Sequence, residues 1–398
     1  MSDPAGTLNI QLERTSRGLT CRIASTRPVT AADRFAGRAP AATAALLPLL
    51  YSICAKAQAF ACVASLEGAC GLLPAPAVVA RRQRMVSVET IREHLWRILL
   101  DWPRLLGEAP DRATMAKILS LVKDLFRLSD PEGDLFRPGA SSAALDRRGA
   151  ARVLADLDDL LARQVFGAHP ARWLDEVHDG GGFDRWLETV DTCAARLLRG
   201  LIDADEAALG QADVTGLPEL RDADLIALID APEGADFLAR PTWEGGARET
   251  SPFTRRAGCG LIRDLTDRHG RGLLSRLAAQ LLEVALLLAE ARRELATETP
   301  EPILPPAPMM AAAGIGIGRA DAARGLLVHL ARVERERVTS YRILAPTEWN
   351  FHPRGILALS LAALPDAADD VLRRQAELLI MATDPCVAFA LALSGPRA

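Results

Sequence analysis

The sequence predicts a mainly α-helical fold with small β elements near both ends, an α+β fold whose length allows one large domain or two to three ordinary ones. Residues 7–25 alternate apolar and polar side chains, a pattern typical of strands. Most of residues 36–300 instead places apolar side chains at helical spacing, and residues 325–345 return to the alternation. We therefore expect four regions along the chain: an N-terminal β element (1–35), a helical body (36–300), a connector (301–318), and a β-hairpin followed by C-terminal helices (319–398).

Composition predicts an ordinary soluble protein without a nucleic-acid partner. The 398 residues are 49% apolar and 25% charged, with a formal net charge of −4, so there is no basic surplus for binding phosphates. The start of the chain lacks the pattern of a secretory signal. The most apolar stretch, residues 41–74, is interrupted by Lys56, Gln58 and Glu67, so we expect no membrane insertion. Seven cysteines in so long a chain form no dense disulfide framework, which favours a cytoplasmic protein.

The N-terminal β element and the helix after it are predicted from local pattern. "TLNIQLER" and "GLTCRIAS" flank Ser16, Arg17 and Gly18, which indicates a β-hairpin. From Pro40 to about Leu73, small and apolar residues surround the helix axis, which predicts a buried helix.

That helical segment contains Cys54, Cys62 and Cys70. Steps of eight residues turn about 80° beyond two full turns, so the three thiols drift around the axis and do not converge. Composition alone therefore predicts small buried thiols that fill a tight core.

The segment "SVETIREHLWRILLDWP" predicts a further helix. Ser87 is a candidate N-cap, and Trp102 followed by Pro103 predicts the end of the helix. Nothing else in this stretch indicates more than a buried helix.

The late part of the chain changes character. "ATETPEPILPPAPMMAAAGIGIG" contains five prolines and three alternate glycines, which predicts a connector. The following "GIGIGRADAARG" is not a nucleotide-binding loop, because Arg319 replaces the last glycine of GxGxxG and no clear strand precedes it. "GLLVHLARV" and "RVTSYRILA", joined by a polar turn, predict a β-hairpin. The six histidines show no metal-ligand spacing, which argues against a zinc hydrolase.

Several motifs occur together near this hairpin. Arg324-Gly325 leads into a strand with His329, a second strand carries Tyr341, and "PTEWNFHPR" follows at residues 346–354. In this order the motifs resemble the late segment of [NiFe]-hydrogenase large subunits. "WEGGARETSPFTR", the helix around "SICAKAQ" and the closing "DPC" are similar to other segments of that family, again in the same order. The resemblance implies a large-subunit-like helical bundle that forms a single domain over residues 1–398.

The resemblance also implies an incomplete metal site. In the family, two pairs of thiolates hold nickel and an iron that carries cyanide and carbon monoxide. Cys54 and Cys386 match the first thiolate of each pair, whereas the second thiolates and the associated histidines are replaced by Ala57, Phe389, Ala61 and Ala392. The family's Arg-Gly-x-Glu motif, which supplies a proton-handling carboxylate, is also absent. Two thiolates cannot build the four-sulfur nickel site, so we expect no nickel, while an iron with three diatomic ligands needs few protein donors.

Arg324 and Thr347 match family residues beside the cyanide ligands, and their donors suit hydrogen bonds to cyanide nitrogen. Degenerate cysteines beside an intact Arg-Gly and Pro-Thr-x-Trp-Asn are similar to the HupK/HoxV group, which is implicated in hydrogenase maturation. The implied function is a non-catalytic assembly protein that transiently holds Fe(CN)2CO through Cys386 and Cys54. The implied partners are HypC/HypD-type maturation proteins, as the source of the iron group, and the apo hydrogenase large subunit as its recipient.

Two alternatives stay open at the level of sequence. One is a metal-free large-subunit mimic that docks maturation factors or the small subunit by shape. The other is an enzyme, either a hydrogenase with rearranged ligands or an unrelated metal-dependent activity. For Arg324, Trp349 and Asn350, a purely structural role at the strand–loop junction is also open.

Overall fold

The computed structural model describes residues 6–141, 145–296, 310–312 and 314–395. Within these ranges the strands are β1 (Thr7–Thr15), β2 (Gly18–Ser25), β3 (Met310–Ala312), β4 (Ile315–Ala322), β5 (Gly325–Glu334), β6 (Arg337–Leu344) and β7 (Ala388–Ser394). The α-helices are α1 (Pro40–Leu50), α2 (Ala55–Cys70), α3 (Pro76–Trp96), α4 (Trp102–Leu105), α5 (Arg112–Ser129), α6 (Arg147–Leu161), α7 (Pro170–Glu176), α8 (Gly180–Thr189), α9 (Cys193–Asp203), α10 (Asp222–Ile229), α11 (Gly234–Ala239), α12 (Pro252–Arg256), α13 (Gly260–His269), α14 (Leu273–Ala296), α15 (Pro346–Asn350), α16 (Ile356–Ala362) and α17 (Asp369–Thr383). The expected mainly helical α+β fold is confirmed.

The first sheet joins the two ends of the chain. β1 pairs antiparallel with β2, as the hairpin prediction requires, and parallel with β7. Leu8, Ile10 and Leu12 on the inner face of β1 are buried against the helices. β7 corrects the expectation of helices to the end of the chain. Phe389 and Ala392, which the sequence resemblance aligns with the family's ligand positions, lie in this strand.

The segment 40–73 forms two helices instead of one. α1 ends at Leu50, and a 3-10 turn over Ser52–Cys54 leads into α2. The expectation of three buried thiols is therefore wrong in part: Cys62 is buried, whereas Cys54 is half-buried at the start of α2 and Cys70 is exposed at its end.

The helix predicted to start at Ser87 starts earlier and continues further. α3 begins at Pro76, so Ser87 lies in its buried interior. After Trp96 the backbone forms a π-helical turn over Arg97–Asp101 and continues into α4. Proline is tolerated in the first turn of a helix, and this is why Pro103 does not end the helical run.

The second sheet has the order β3-β4-β5-β6 and packs against α2. The β5–β6 hairpin is present as predicted. Residues 315–318, assigned to the connector, instead belong to β4, while 301–309 lie outside the described residues. The alternate glycines let β4 approach the helix closely: a Cβ on Gly316 or Gly318 would lie 2.0 Å from a carbonyl oxygen of α2.

In the described part of the chain, no single helix is long and apolar enough to cross a membrane. α1 and the helical segment Ser52–Cys70 pass such a test only as a pair, and they are bent by 103° relative to each other. Most of α2 is buried inside the protein.

Candidate functional site

The four residues predicted for the site come together, although they lie far apart in sequence. Cys54 ends the turn before α2, Cys386 lies between α17 and β7, Arg324 lies in the β4–β5 turn, and Thr347 is in the first turn of α15. Burial lowers the pKa of Arg324, but nearby charges that include those of Cys386 and Cys54 raise it, and burial and the charge of Cys386 raise the pKa of Cys54. The three residues are therefore close to one another.

The sulfur of Cys386 lies among hydrogen-bond donors. Thr347 Oγ1 is 2.9 Å from Cys386 Sγ, and Arg27 Nη1 donates to the same sulfur at 3.1 Å. Arg27 Nε also donates to Glu348 Oε1 at 2.7 Å. Burial opposes the charge on Arg27, but Glu348 and Cys386 outweigh it and raise the pKa of the guanidinium. Cys386 is therefore held beside a permanent positive charge.

Arg324 is a buried cation with an unused donor. Its Nη2 donates to Glu93 Oε2 at 3.1 Å, and its Nε lies 3.3 Å from Asp384 Oδ2. Nε and Nη1 are both buried, and neither has a hydrogen-bond partner among the described residues. A buried guanidinium N–H without an acceptor is costly, so Nη1 marks a position where an acceptor of a bound group fits.

Asp384 and Arg97 fix the segment that carries Cys386. Asp384 adopts a left-handed backbone conformation (φ 56°) that ends α17, and its side chain is buried. Arg97 Nε donates to Asp384 Oδ1 at 2.7 Å, and Arg97 Nη2 donates to Pro385 O at 3.2 Å. Burial would raise the pKa of Asp384, but Arg324 and Arg97 lower it, so the carboxylate stays charged.

Cys54 has a different environment from Cys386. Burial raises the pKa of its thiol to about 12, and the charges of Cys386 and Glu89 act in the same direction. Its hydrogen-bond contact is Gln58 Nε2, at 3.7 Å from the sulfur. Cys54 is therefore a protonated thiol in the protein alone, and it must lose a proton to bind a metal.

Glu89 is a residue of α3, and its buried carboxylate contacts the start of α2. It accepts hydrogen bonds from the backbone N–H groups of Lys56 and Ala57 at 2.9 and 3.0 Å. Burial raises its pKa to about 7, while these two backbone donors lower it. Glu89 thus caps the helix that carries Cys54 and is close to its ionisation point at neutral pH.

The polar residues of the strand–loop junction position Arg324. Asn350 Nδ2 donates to Arg324 O at 2.9 Å and to Thr250 O at 2.7 Å. Gly325 has φ 134°, and a Cβ there would lie 2.3 Å from Thr250 O, so the tight turn requires glycine. His329 is a core residue: burial lowers its pKa to about 3, and its Nδ1 lies 2.8 Å from Tyr341 Oη.

Sequence reasoning missed Arg27, Arg97 and Glu89. Arg27 follows a strand as an isolated arginine, and no local pattern connects it with a cysteine 359 residues away. Arg97 and Glu89 lie in the stretch predicted to be only a buried helix. That stretch contains more charged residues than a fully buried helix accommodates without partners, and this could have indicated that some of them form buried ion pairs or hydrogen bonds.

The family model described as nickel-dependent hydrogenase matches residues 268–391. A hydrogenase expression/formation protein HoxV from Cupriavidus necator is 32% identical, over 92% of this chain and 91% of the relative. A hydrogenase expression/formation protein HupK from Rhizobium leguminosarum bv. viciae is 28% identical, over 97% of this chain and 96% of the relative.

The solved structures include the Ni-Fe-Se hydrogenase from D. vulgaris Hildenborough, in the reduced state. It matches with a TM-score of 0.62 at 15% identity, and the match covers 94% of each chain. The [NiFe]-hydrogenase large-subunit-like fold expected from the sequence is therefore confirmed.

Proposed function

Because this chain belongs to the HoxV/HupK family of hydrogenase expression/formation proteins, we propose that it carries the Fe(CN)2CO fragment to the apo large subunit of a hydrogenase. It takes the fragment from HypC/HypD-type maturation proteins, holds it without catalysis, binds no nickel and acts in the cytoplasm. The observation that carries this proposal is the buried Nη1 of Arg324, which has no hydrogen-bond partner among the described residues, on a guanidinium whose pKa is lowered by burial but raised overall by nearby charges that include those of Cys386 and Cys54.

The donors of the site suit the cargo. Cys386 supplies a sulfur ligand, and Cys54 supplies a second once it is deprotonated. Arg324 Nη1 donates to a cyanide nitrogen, and the hydroxyl of Thr347 turns from Cys386 to a second cyanide as the iron binds. Charge-assisted hydrogen bonds of this kind orient anionic ligands and stabilise them in a buried site.

The incomplete ligand set fits a carrier. Deprotonating Cys54, whose pKa is about 12, opposes metal binding at neutral pH, so the second sulfur bond is weak. A fragment held mainly through one sulfur can pass to a recipient that offers more thiolates. The absence of the second cysteine from each pair thus favours release of the iron fragment over its retention.

The test is an infrared spectrum and a metal analysis of protein purified anaerobically from cells with an active hydrogenase maturation system. We expect carbon monoxide and cyanide bands and iron without nickel. As a control, Cys70→Ala removes an exposed thiol at the far end of α2 and leaves the bands unchanged. Absent bands, in cells whose hydrogenase activity still depends on the protein, would instead support the metal-free docking scaffold. Stoichiometric nickel with hydrogen-dependent dye reduction would support an enzyme.

A further inference from the structure

A cleft of about 440 Å³ opens between α12, β4 and the loop that precedes α10. Its volume lies in the range of small-molecule sites, roughly 300–1,000 Å³. Of the described residues that line the cleft, none belongs to the four residues of the candidate site. The cleft is therefore a second cavity, outside the site assigned to the iron group.

Strand β4 presents two opposite charges to this cleft. Successive side chains of a strand point to opposite faces, and Gly316 and Gly318 face α2. Arg319 and Asp321 are on the other face, roughly 7 Å apart along the strand, and both line the cleft. A cation and an anion therefore lie next to each other on one wall.

Two arginines that line the cleft have buried N–H groups without an acceptor. Arg255 donates to Glu283 through Nε and Nη2, at 3.0 and 2.7 Å, whereas its Nη1 has no partner among the described residues. Arg319 donates to Asp222 through Nη2, and its buried Nε likewise has no partner in the described ranges. An unsatisfied buried donor is costly, and a carboxylate is the planar acceptor that suits a guanidinium. The two arginines thus favour a ligand with a carboxylate.

Two carboxylates that line the cleft have no cationic partner. Asp321 and Glu219 are exposed, and in the described part of the chain neither forms an ion pair or accepts a hydrogen bond from a side chain. Arg319 pairs with Asp222 instead. The two carboxylates balance the two arginines, so a ligand with only a negative charge meets repulsion on one side of the cleft. A ligand that carries an ammonium group beside its carboxylate satisfies both pairs.

Apolar side chains complete the cleft. Leu217, Leu220 and Leu326 line it, and Leu220 is buried while the other two are half-buried. Covering these side chains favours an aliphatic group on the ligand. We propose that this cleft binds a free α-amino acid with an aliphatic side chain, whose carboxylate bonds the two arginines and whose ammonium group bonds the two carboxylates. This inference goes beyond the proposed function and does not depend on it, because the iron group and the amino acid occupy different cavities.

The test is equilibrium dialysis of the full-length protein with radiolabelled L-leucine. Two competitors each lack one charge of leucine: isocaproate has no ammonium group, and isoamylamine has no carboxylate. We expect saturable binding of leucine, and a dissociation constant at least about tenfold higher for each competitor, because each loses a charge-assisted hydrogen bond. The absence of saturable leucine binding would overturn the inference, and so would isocaproate that competes as well as leucine itself.

Two variants assign the binding to this cleft. Asp321→Asn removes an exposed carboxylate, so it should raise the Kd of leucine about tenfold and leave that of isocaproate unchanged. Arg319→Gln should weaken the binding of both compounds. Glu334→Gln is the matched control, because Glu334 is an exposed carboxylate of the same sheet that does not line the cleft, and it should leave the Kd of leucine unchanged.

Circular dichroism checks that each variant is folded. Equal leucine binding in folded Asp321→Asn and in the wild type would overturn the inference, even if Arg319→Gln does not fold. An equal loss of leucine binding in Asp321→Asn and Glu334→Gln would overturn it as well, because the effect would then follow the net charge of the protein and not the cleft.

Discussion

The two halves of the candidate site differ in how they are prepared for a metal. The sulfur of Cys386 accepts a hydrogen bond from Arg27 and lies within hydrogen-bond distance of Thr347. The loop that carries Cys386 is fixed by the hydrogen bond between Arg97 and Asp384. Cys54 lies beside a buried carboxylate, Glu89, and burial raises the pKa of its thiol to about 12. The sulfur of Cys386 is therefore contacted by a cation and a hydroxyl group, whereas burial opposes a charged sulfur at Cys54.

Under the proposed function, this difference lets two thiols hold the iron group transiently. Two sulfur ligands that bind a metal equally well retain it, whereas two buried neutral thiols must each lose a proton before they bind. In our proposal, one sulfur beside a cation and one thiol that must first lose its proton give a site that binds the iron group and releases it.

Arg27→Gln should have the largest effect among the variants that keep both cysteines. It removes the cation beside Cys386, a charge-assisted hydrogen bond of about 1.5–3 kcal/mol, so retained iron should fall roughly tenfold or more. Iron per chain after anaerobic dialysis measures this. Arg22→Gln, an exposed arginine on β2, is the control. Equal iron retention in Arg27→Gln and wild type would contradict the asymmetry of the two halves.

Arg97→Gln should destabilise the loop that carries Cys386. Asp384 has a lowered pKa, so its ion pairs stabilise the fold above its ordinary pKa of 3.8, and this stabilisation is lost as pH falls through the lower folded value. We expect a loss of about 2 kcal/mol in unfolding free energy at pH 7 that narrows below about pH 4. Urea titrations measure this. The exposed Arg104, replaced by Gln, should change stability little, and an equal loss there would argue against a specific role for Arg97.

Glu89→Gln tests the Cys54 half by its pH dependence. The folded pKa of Glu89, about 7, lies above the ordinary 4.5, so its ionisation costs stability increasingly as pH rises through this window. The unfolding free energy of the variant minus that of the wild type should therefore rise by about 1–2 kcal/mol as the pH increases from 5 to 8. A difference that stays constant over this range in urea unfolding would show that Glu89 does not titrate there.

Phe389→Cys should have the smallest effect, although it restores the spacing of a second thiol. Phe389 is held in β7, paired in register with Leu8, and therefore cannot move toward Cys386 without breaking the sheet. We expect no nickel in the variant by metal analysis after growth with nickel. Nickel binding would show that residue identity, and not the strand, prevents a metal pair.

The fold was largely predictable where periodicity was unambiguous. The alternation around Ser16–Gly18 and in the β5–β6 segment predicted both hairpins. β7 was not predictable, because "AFALALS" is a short apolar run that fits helix or strand, and its pairing with β1 is a contact across the whole chain. The glycines of β4 were mistaken for a connector because the helix they pack against is distant in sequence.

Of the site, the sequence predicted Cys54, Cys386, Arg324 and Thr347 through the order of motifs. It did not predict Arg27, Arg97 or Glu89, since these act through tertiary contacts that no local spacing encodes. These three residues are the ones that give the Cys386 half and the Cys54 half of the site different electrostatic environments.

The measurement that tests the central claim most directly is anaerobic infrared spectroscopy of the wild type beside Cys386→Ala and Cys54→Ala. We predict carbon monoxide and cyanide bands in the wild type, no bands in Cys386→Ala, and weaker, shifted bands in Cys54→Ala. Bands of equal intensity in all three proteins, or bands lost only in Cys54→Ala, would contradict the account.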